Sequence, residues 1–151
     1  SVSRGLGDVY KRQAVRLLMR DNEKSYGANS YDISGQLKET SSVLGIKINV
    51  EGDIPDPFYY KIFITAVREC ATNAVRHAGA TKLNVKCSKS GGRQWIALSN
   101  DGKAPVSTVT EGGGLSSLHD RVEKSGGTMS INSYPFFELV ISFPLNKEVT
   151  L

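Results

Sequence analysis

The sequence predicts an α+β two-layer sandwich, with a mixed, mostly antiparallel sheet and helices on one face. Three observations predict it. Apolar residues alternate with polar ones at period two in four separate stretches, as a half-buried strand requires. Helical periodicity fills the segments between some of them. The order reads helices, strand, long helix, two strands, loop, helix, two strands, which a sheet covered on one face satisfies.

Size and composition are compatible with one such unit. The chain has 151 residues, 39% of them hydrophobic and 23% charged, the balance of an ordinary soluble domain with a modest core. No apolar run approaches the roughly 20 residues a membrane helix needs, and no secretory segment is visible. The formal charge is +4. No basic run exceeds Lys11-Arg12, so direct nucleic-acid binding is not expected. An anionic small ligand suits the same charge. Cys70 and Cys87 lack metal-ligand spacing and read as buried thiols of a reduced, cytoplasmic protein.

Along the chain, residues 1–8 show no periodicity and read as a disordered end. Residues 9–24 turn helical through Val15, Leu18 and Met19. A second, weaker helix covers 31–43 through Ile33, Leu37 and Val43. Ile46, Ile48 and Val50 alternate as a strand. Asp56 and Pro57 then look like the cap and first residue of a helix running to His77 and stopped by Gly79. Leu83, Val85 and Cys87 alternate, Gly91-Gly92 turn the chain, and Trp95–Ser99 return as the second arm of a hairpin. Residues 101–114 carry five glycines or prolines and read as a loop. Leu115, Leu118 and Val122 mark a helix that Gly126-Gly127 end. Two strands, 128–133 and 137–143, close the chain.

Three polar clusters fall at element ends. On the long helix Glu69, Asn73, Arg76 and His77 run i, i+4, i+7, i+8, which places them on one side. Val67, Ala71, Ala74, Val75 and Ala78 between them offer an apolar face to a core. A polar stripe on such a helix is costly to bury without partners, so it marks a site if a ligand lies beside it. Ser99, Asn100, Asp101 and Gly102 end a strand. Their oxygens suit an exocyclic amine, although Asn-Asp-Gly is equally a plain turn. Glu111 and Gly112, Gly113 and Gly114 open the short helix before Leu115. First-turn N–H groups there favour an anion such as a phosphate; taken alone, the run is equally a hinge.

Taken together and in this order, the clusters resemble the ATP-binding catalytic domain of two-component sensor histidine kinases, of the GHKL (HATPase) superfamily. Glu69-x-x-x-Asn73-x-x-x-His77 matches its N box, Asn100-Asp101-Gly102 its first glycine box and Gly112-x-Gly114-Leu115 its second. The resemblance covers roughly residues 30–145 and is nearest to the short-lid subfamily whose partners are DNA-binding response regulators. It implies a Bergerat-type ATP-binding fold over 30–151, with 1–29 a tail holding the candidate end of a dimerisation helix. It implies ATP and Mg2+ as cofactors. Asn73 would hold the magnesium, and Glu69, as the catalytic residue, a magnesium-bound water or the attacking group. Arg76 or His77 would balance phosphate charge. Asn100 or Asp101 would contact the adenine amine, with Gly102 making room for the ring. Gly112, Gly113 and Gly114 would wrap the triphosphate beside Leu115, and residues 103–111 would form the lid.

The family partners would be a dimerising phosphoacceptor domain of the same protein and a response regulator, within a homodimer whose full length is compatible with a membrane anchor. Strict alignment places Asn100, not Asp101, where the family carries its adenine-reading Asp, and the box's second glycine is replaced by Lys103, Ala104 and Pro105. A neutral amide binds without charge assistance. Pro135, Phe136, Phe137 and Glu138 stand where a Gly-Thr pair is usual. No histidine precedes His77, so the acceptor is expected outside this sequence. Leu118-His119-Asp120 resembles an acceptor motif but reads as a surface segment of the short helix. An anti-sigma-factor-type serine kinase on the same fold, or a non-catalytic interaction module, are the alternatives.

Overall fold

The structure is a computed structural model that describes residues 32–104 and 113–145. The helix expected over 9–24 and most of the lid expected over 103–111 lie outside those residues. In chain order the elements are α1 (Ile33–Leu44), β1 (Lys47–Gly52), a 3-10 turn (Pro57–Tyr59), α2 (Tyr60–Ala78), β2 (Lys82–Ser90), β3 (Arg93–Asn100), α3 (Gly113–Lys124), β4 (Thr128–Asn132) and β5 (Glu138–Pro144). The strands form one sheet in the order β1-β2-β3-β5-β4. β1 and β2 are parallel, with α2 as their crossover, and every other pair is antiparallel. The fold is therefore the expected two-layer α+β sandwich with a mixed, mostly antiparallel sheet.

Alternation explains why the helices occupy one face. Leu83, Val85 and Cys87 of β2, Ile96 and Leu98 of β3, and Leu139, Ile141 and Phe143 of β5 are buried on the helix side. Lys86 and Trp95 on the opposite side are exposed. Phe63, Val67, Cys70, Ala71 and Ala74 of α2 pack onto this layer, and Leu115, Leu118 and Val122 of α3 complete it. Both cysteines are free and buried, which raises the Cys70 thiol to about 12 and the Cys87 thiol to about 11. Neither titrates near neutral pH.

Element ends follow the local chemistry, with one exception. The Asp32 carboxylate accepts from Gly35 N–H at 2.9 Å and starts α1. Gly91 and Gly92, with φ of 61° and 75°, form the two-residue turn that matches strand twist. Asp56 makes no cap to the backbone; its carboxylate lies 3.3 Å from Lys89 Nζ instead. The long helix begins through the 3-10 turn, and Tyr59 anchors it. Its ring stacks on Phe143 with centroids 4.1 Å apart, and its hydroxyl donates to Pro144 O at 2.9 Å. Arg68, only 1% exposed, ties α2 to α1 through Gln36 Oε1 and Thr40 Oγ1.

Three buried side chains hold α3, and its N-terminus reaches α2 only because they do. Leu118→Ala removes a fully buried group and leaves a cavity, with an expected loss of about 3 kcal/mol of unfolding free energy. Urea denaturation followed by circular dichroism checks it; an unchanged midpoint would show that α3 is not packed as described.

Candidate functional site

A cavity of about 430 Å3 opens between the C-terminal half of α2, the end of β3, the start of α3 and the entry to β5. From α2 come Glu69, Asn73, Arg76 and His77, so the stripe spaced i, i+4, i+7, i+8 faces one space. Ala74 and Ala78 line it as well, together with Thr72. α3 contributes Gly113, Gly114 and Leu115. Asn100, Lys103 and Phe137 complete the wall. Gly112 lies outside the described residues.

Two close approaches fix the ends of this cavity. At Gly114 an added Cβ would sit 1.8 Å from Glu69 Oε1, so the first turn of α3 lies directly against that carboxylate, and a larger residue there would displace the Glu69 side chain. At Gly102 an added Cβ would sit 2.4 Å from Ala78 O. Gly102 thus makes room for the end of α2, where a ligand ring was the expectation, and Lys103 N–H fastens the contact by donating to Ala78 O at 3.0 Å. Glu69 and Ala78 are nine residues apart, about 13 Å along a helix at 1.5 Å per residue. The cavity therefore has one end at Glu69 and Gly114 and another at Ala78 and Asn100.

Asn100 and Asp101 part company. Asp101 Oδ1 accepts from Thr81 N–H at 2.8 Å and Lys82 N–H at 2.9 Å, while Oδ2 accepts from Thr81 Oγ1 at 2.6 Å. These bonds hold its carboxyl below the ordinary value, the Thr81 hydroxyl contributing most. The side chain is committed to the β2 entry and does not line the cavity. Asn100 does line it. Its Oδ1 accepts from Gly102 N–H at 2.7 Å, which leaves one lone pair and the Nδ2 hydrogens available.

Electrostatics differ between the two ends. Burial raises the Glu69 carboxyl above its ordinary value, and the Arg76 guanidinium partly opposes this. Arg76 and Lys103 give the lining two cations against that one carboxylate. First-turn N–H groups of α3 add positive potential. An anionic ligand with an apolar body matches this lining better than a neutral one. His119 is not part of it; its Nε2 lies 3.1 Å from Glu123 Oε2 on α3. Phe137 is a lining residue; the sequence reading gave the segment 135–138 a wall of the pocket without assigning Phe137 a binding role. Its register signal was present, because Phe137 keeps the parity of the buried Leu139 and Ile141.

The comparisons with known proteins now bear on this geometry. No family model matches the chain. A sensor histidine kinase of Bacillus subtilis strain 168, YxjM, is 29% identical over 87 residues, 54% of this chain. That match takes in 21% of the relative's length. The histidine kinase domain of the blue-light activated kinase EL346 from Erythrobacter litoralis superposes with a TM-score of 0.60 at 19% identity, covering 94% of this chain and 76% of that one. The histidine kinase AdeS of Acinetobacter baumannii gives a TM-score of 0.57 at 15% identity, covering 92% and 77%. The fold is that of a histidine kinase domain. Within the histidine kinase fold the chain spans about a fifth of the curated relative it matches. No described helix is long and apolar enough to cross a membrane.

The raised Glu69 carboxyl gives a test of how this site is built. A folded-state value above the unfolded one means the folded chain holds the proton more tightly. Stability from this group is then fullest below the ordinary carboxylate range and is lost as pH rises through the raised value. Glu69→Gln should be more stable than the wild type at pH 7, and the gap should close towards pH 4. Thermal midpoints of both proteins across that range check it; a constant gap would mean that Glu69 is not buried against Gly114.

Proposed function

We propose that this chain is the Mg–ATP-binding catalytic domain of a sensor histidine kinase, which phosphorylates a histidine lying outside this sequence for relay to a response regulator. The observation that carries the reading is the meeting of three sequence clusters in one cavity: the Glu69–His77 stripe, the glycines that open α3, and Asn100. Each taken alone has a structural explanation, and their meeting around one space with an anion-favouring end supports a nucleotide.

Asn73 and Glu69 stand one helical turn apart beside the N-terminus of α3, and both offer oxygen. Among the described residues no group of three His, Cys, Asp or Glu could hold a metal unaided. That suits magnesium, which keeps several waters and binds through one or two protein oxygens plus substrate phosphates. In this reading Asn73 would hold the ion, which would supply neutralisation of phosphate charge. Glu69 orients a magnesium-bound water or the attacking nitrogen. Arg76 or His77 balances phosphate charge, and the N–H groups of Gly113, Gly114 and Leu115 cradle the phosphates. Asn100 accepts from the adenine amine. The acceptor histidine's nitrogen forms a bond to the γ-phosphorus as the bond to the β–γ bridging oxygen breaks, and ADP leaves with that electron pair. Positioning and charge neutralisation supply most of the catalysis in such a transfer. The phosphoacceptor domain, the response regulator and a homodimeric full-length protein belong to this proposal.

Asn73→Ala should reduce magnesium-dependent ATP affinity at least about tenfold, since loss of even an outer-shell partner of a metal costs that much, without altering the circular dichroism spectrum. Calorimetric titration of Mg–ATP into both proteins checks it. Unchanged affinity would remove the metal role from α2. No binding by the folded wild type would instead favour a non-catalytic interaction module.

A further inference from the structure

We infer that Phe137 sets the base end of the cavity, its ring forming the apolar wall on which a purine lies while the Asn100 amide reads the base's edge. The inference rests on the nucleotide reading above and adds a specificity-determining residue to it.

Sheet register brings the two side chains together. Leu98 pairs with Leu139 and Ser99 with Glu138 across β3 and β5. Asn100 and Phe137 are the next residues along that ladder, with the parity of the buried Leu98 and Leu139. Opposed residues of an antiparallel pair point to the same face, so both turn towards the helices, and both line the cavity. Phe137 differs here from its neighbours. Phe136 is 51% and Tyr134 81% exposed, whereas Phe137 is half-buried against the core.

Position along α2 assigns the ring to the base rather than to the phosphates. Gly102 lies against Ala78, which places the end of β3, and with it Asn100 and Phe137, at the C-terminal end of α2. The α3 N-terminus lies against Glu69, about 13 Å away along the helix axis. That separation suits a nucleoside triphosphate laid along α2 with its base against Ala78, Asn100 and Phe137.

Asn100 and Phe137 then divide the work. With its oxygen fixed by Gly102 N–H, the Asn100 amide presents an acceptor beside a donor. Adenine offers an amine donor next to a ring acceptor, whereas guanine places an oxygen where the amine would be. The ring contributes without that discrimination, because every base has a π-face. A neutral amide binds more weakly than a charge-assisted partner, so a large share of base affinity falls to Phe137.

Titration of Mg–ATP, Mg–GTP and Mg–tripolyphosphate into the wild-type chain and its variants tests this division. Phe137→Ala should weaken ATP and GTP alike by about tenfold, within the range of one base–aromatic stack, and leave tripolyphosphate unchanged. Phe137→Leu, which fills the space without a π-face, should lose affinity in the same direction, and Phe137→Tyr should keep it. Asn100→Ala should change the ATP:GTP ratio that Phe137→Ala preserves. Undiminished ATP affinity in both Phe137→Ala and Phe137→Leu would overturn the inference. So would an equal loss of tripolyphosphate, which would mark a general distortion of the cavity. A wild type that binds tripolyphosphate but no nucleotide would overturn it too. If the wild type binds none of the three, the nucleotide reading itself fails.

Discussion

The approach of Glu69 to Gly114 is the contact on which the site depends. α2 has to bury an apolar face against the sheet while carrying a polar stripe beside it. A carboxylate there loses water, and its raised proton affinity records the cost. What partly offsets that cost is the Arg76 guanidinium, and the first turn of α3 lies directly beside the carboxylate. The missing Cβ at residue 114 leaves the Glu69 carboxylate the space beside that turn. The first turn of α3 thus lies beside the stripe on α2. Leu115, Leu118 and Val122 hold it there by burial.

The opposite end of the cavity is built by comparable means. Gly102 lies against Ala78 because it too lacks a Cβ, and Asp101 fastens the strand end by three hydrogen bonds to Thr81 and Lys82. Those bonds commit the charged residue of the pair to the scaffold and leave the neutral one lining the cavity. The charge assistance available at a strand end therefore stabilises the turn, and that end of the cavity is left with an amide and an aromatic ring.

The elements were legible in the sequence wherever one local pattern decided them. Alternation at 83–87 marked β2, the double glycine at 91–92 marked the hairpin, and Gly79 marked the end of α2. The stripe from Glu69 to His77 was legible because helical spacing is itself a statement about faces. Features set by partners distant in sequence were not. The contact of Arg68 with Gln36 crosses 32 positions, and that of Asp101 with Thr81 crosses 20. Asp56 was read as a cap on residue type alone, yet its carboxylate found Lys89 across the sheet. Phe137 lay between these cases: its parity was readable, but its facing of Asn100 needed the β3–β5 register.

Division of the cavity into two ends also bears on how departures from the family pattern should be weighed. On the proposed nucleotide reading, an amide at residue 100 where the resembled family carries a carboxylate would remove charge from the base end, whereas the phosphate end would keep Asn73, Arg76 and the helix terminus. Affinity in such a site has two largely separable sources, one electrostatic and salt-dependent, the other apolar and stacking. A chain that weakens the hydrogen-bonded part of base recognition can retain nucleotide binding if an aromatic face is added in the same place. Phe137 stands at that place, directly across the ladder from the altered residue. On the proposed nucleotide reading, the two departures, at 100 and at 137, would act as one compensated change rather than as two steps towards loss of function.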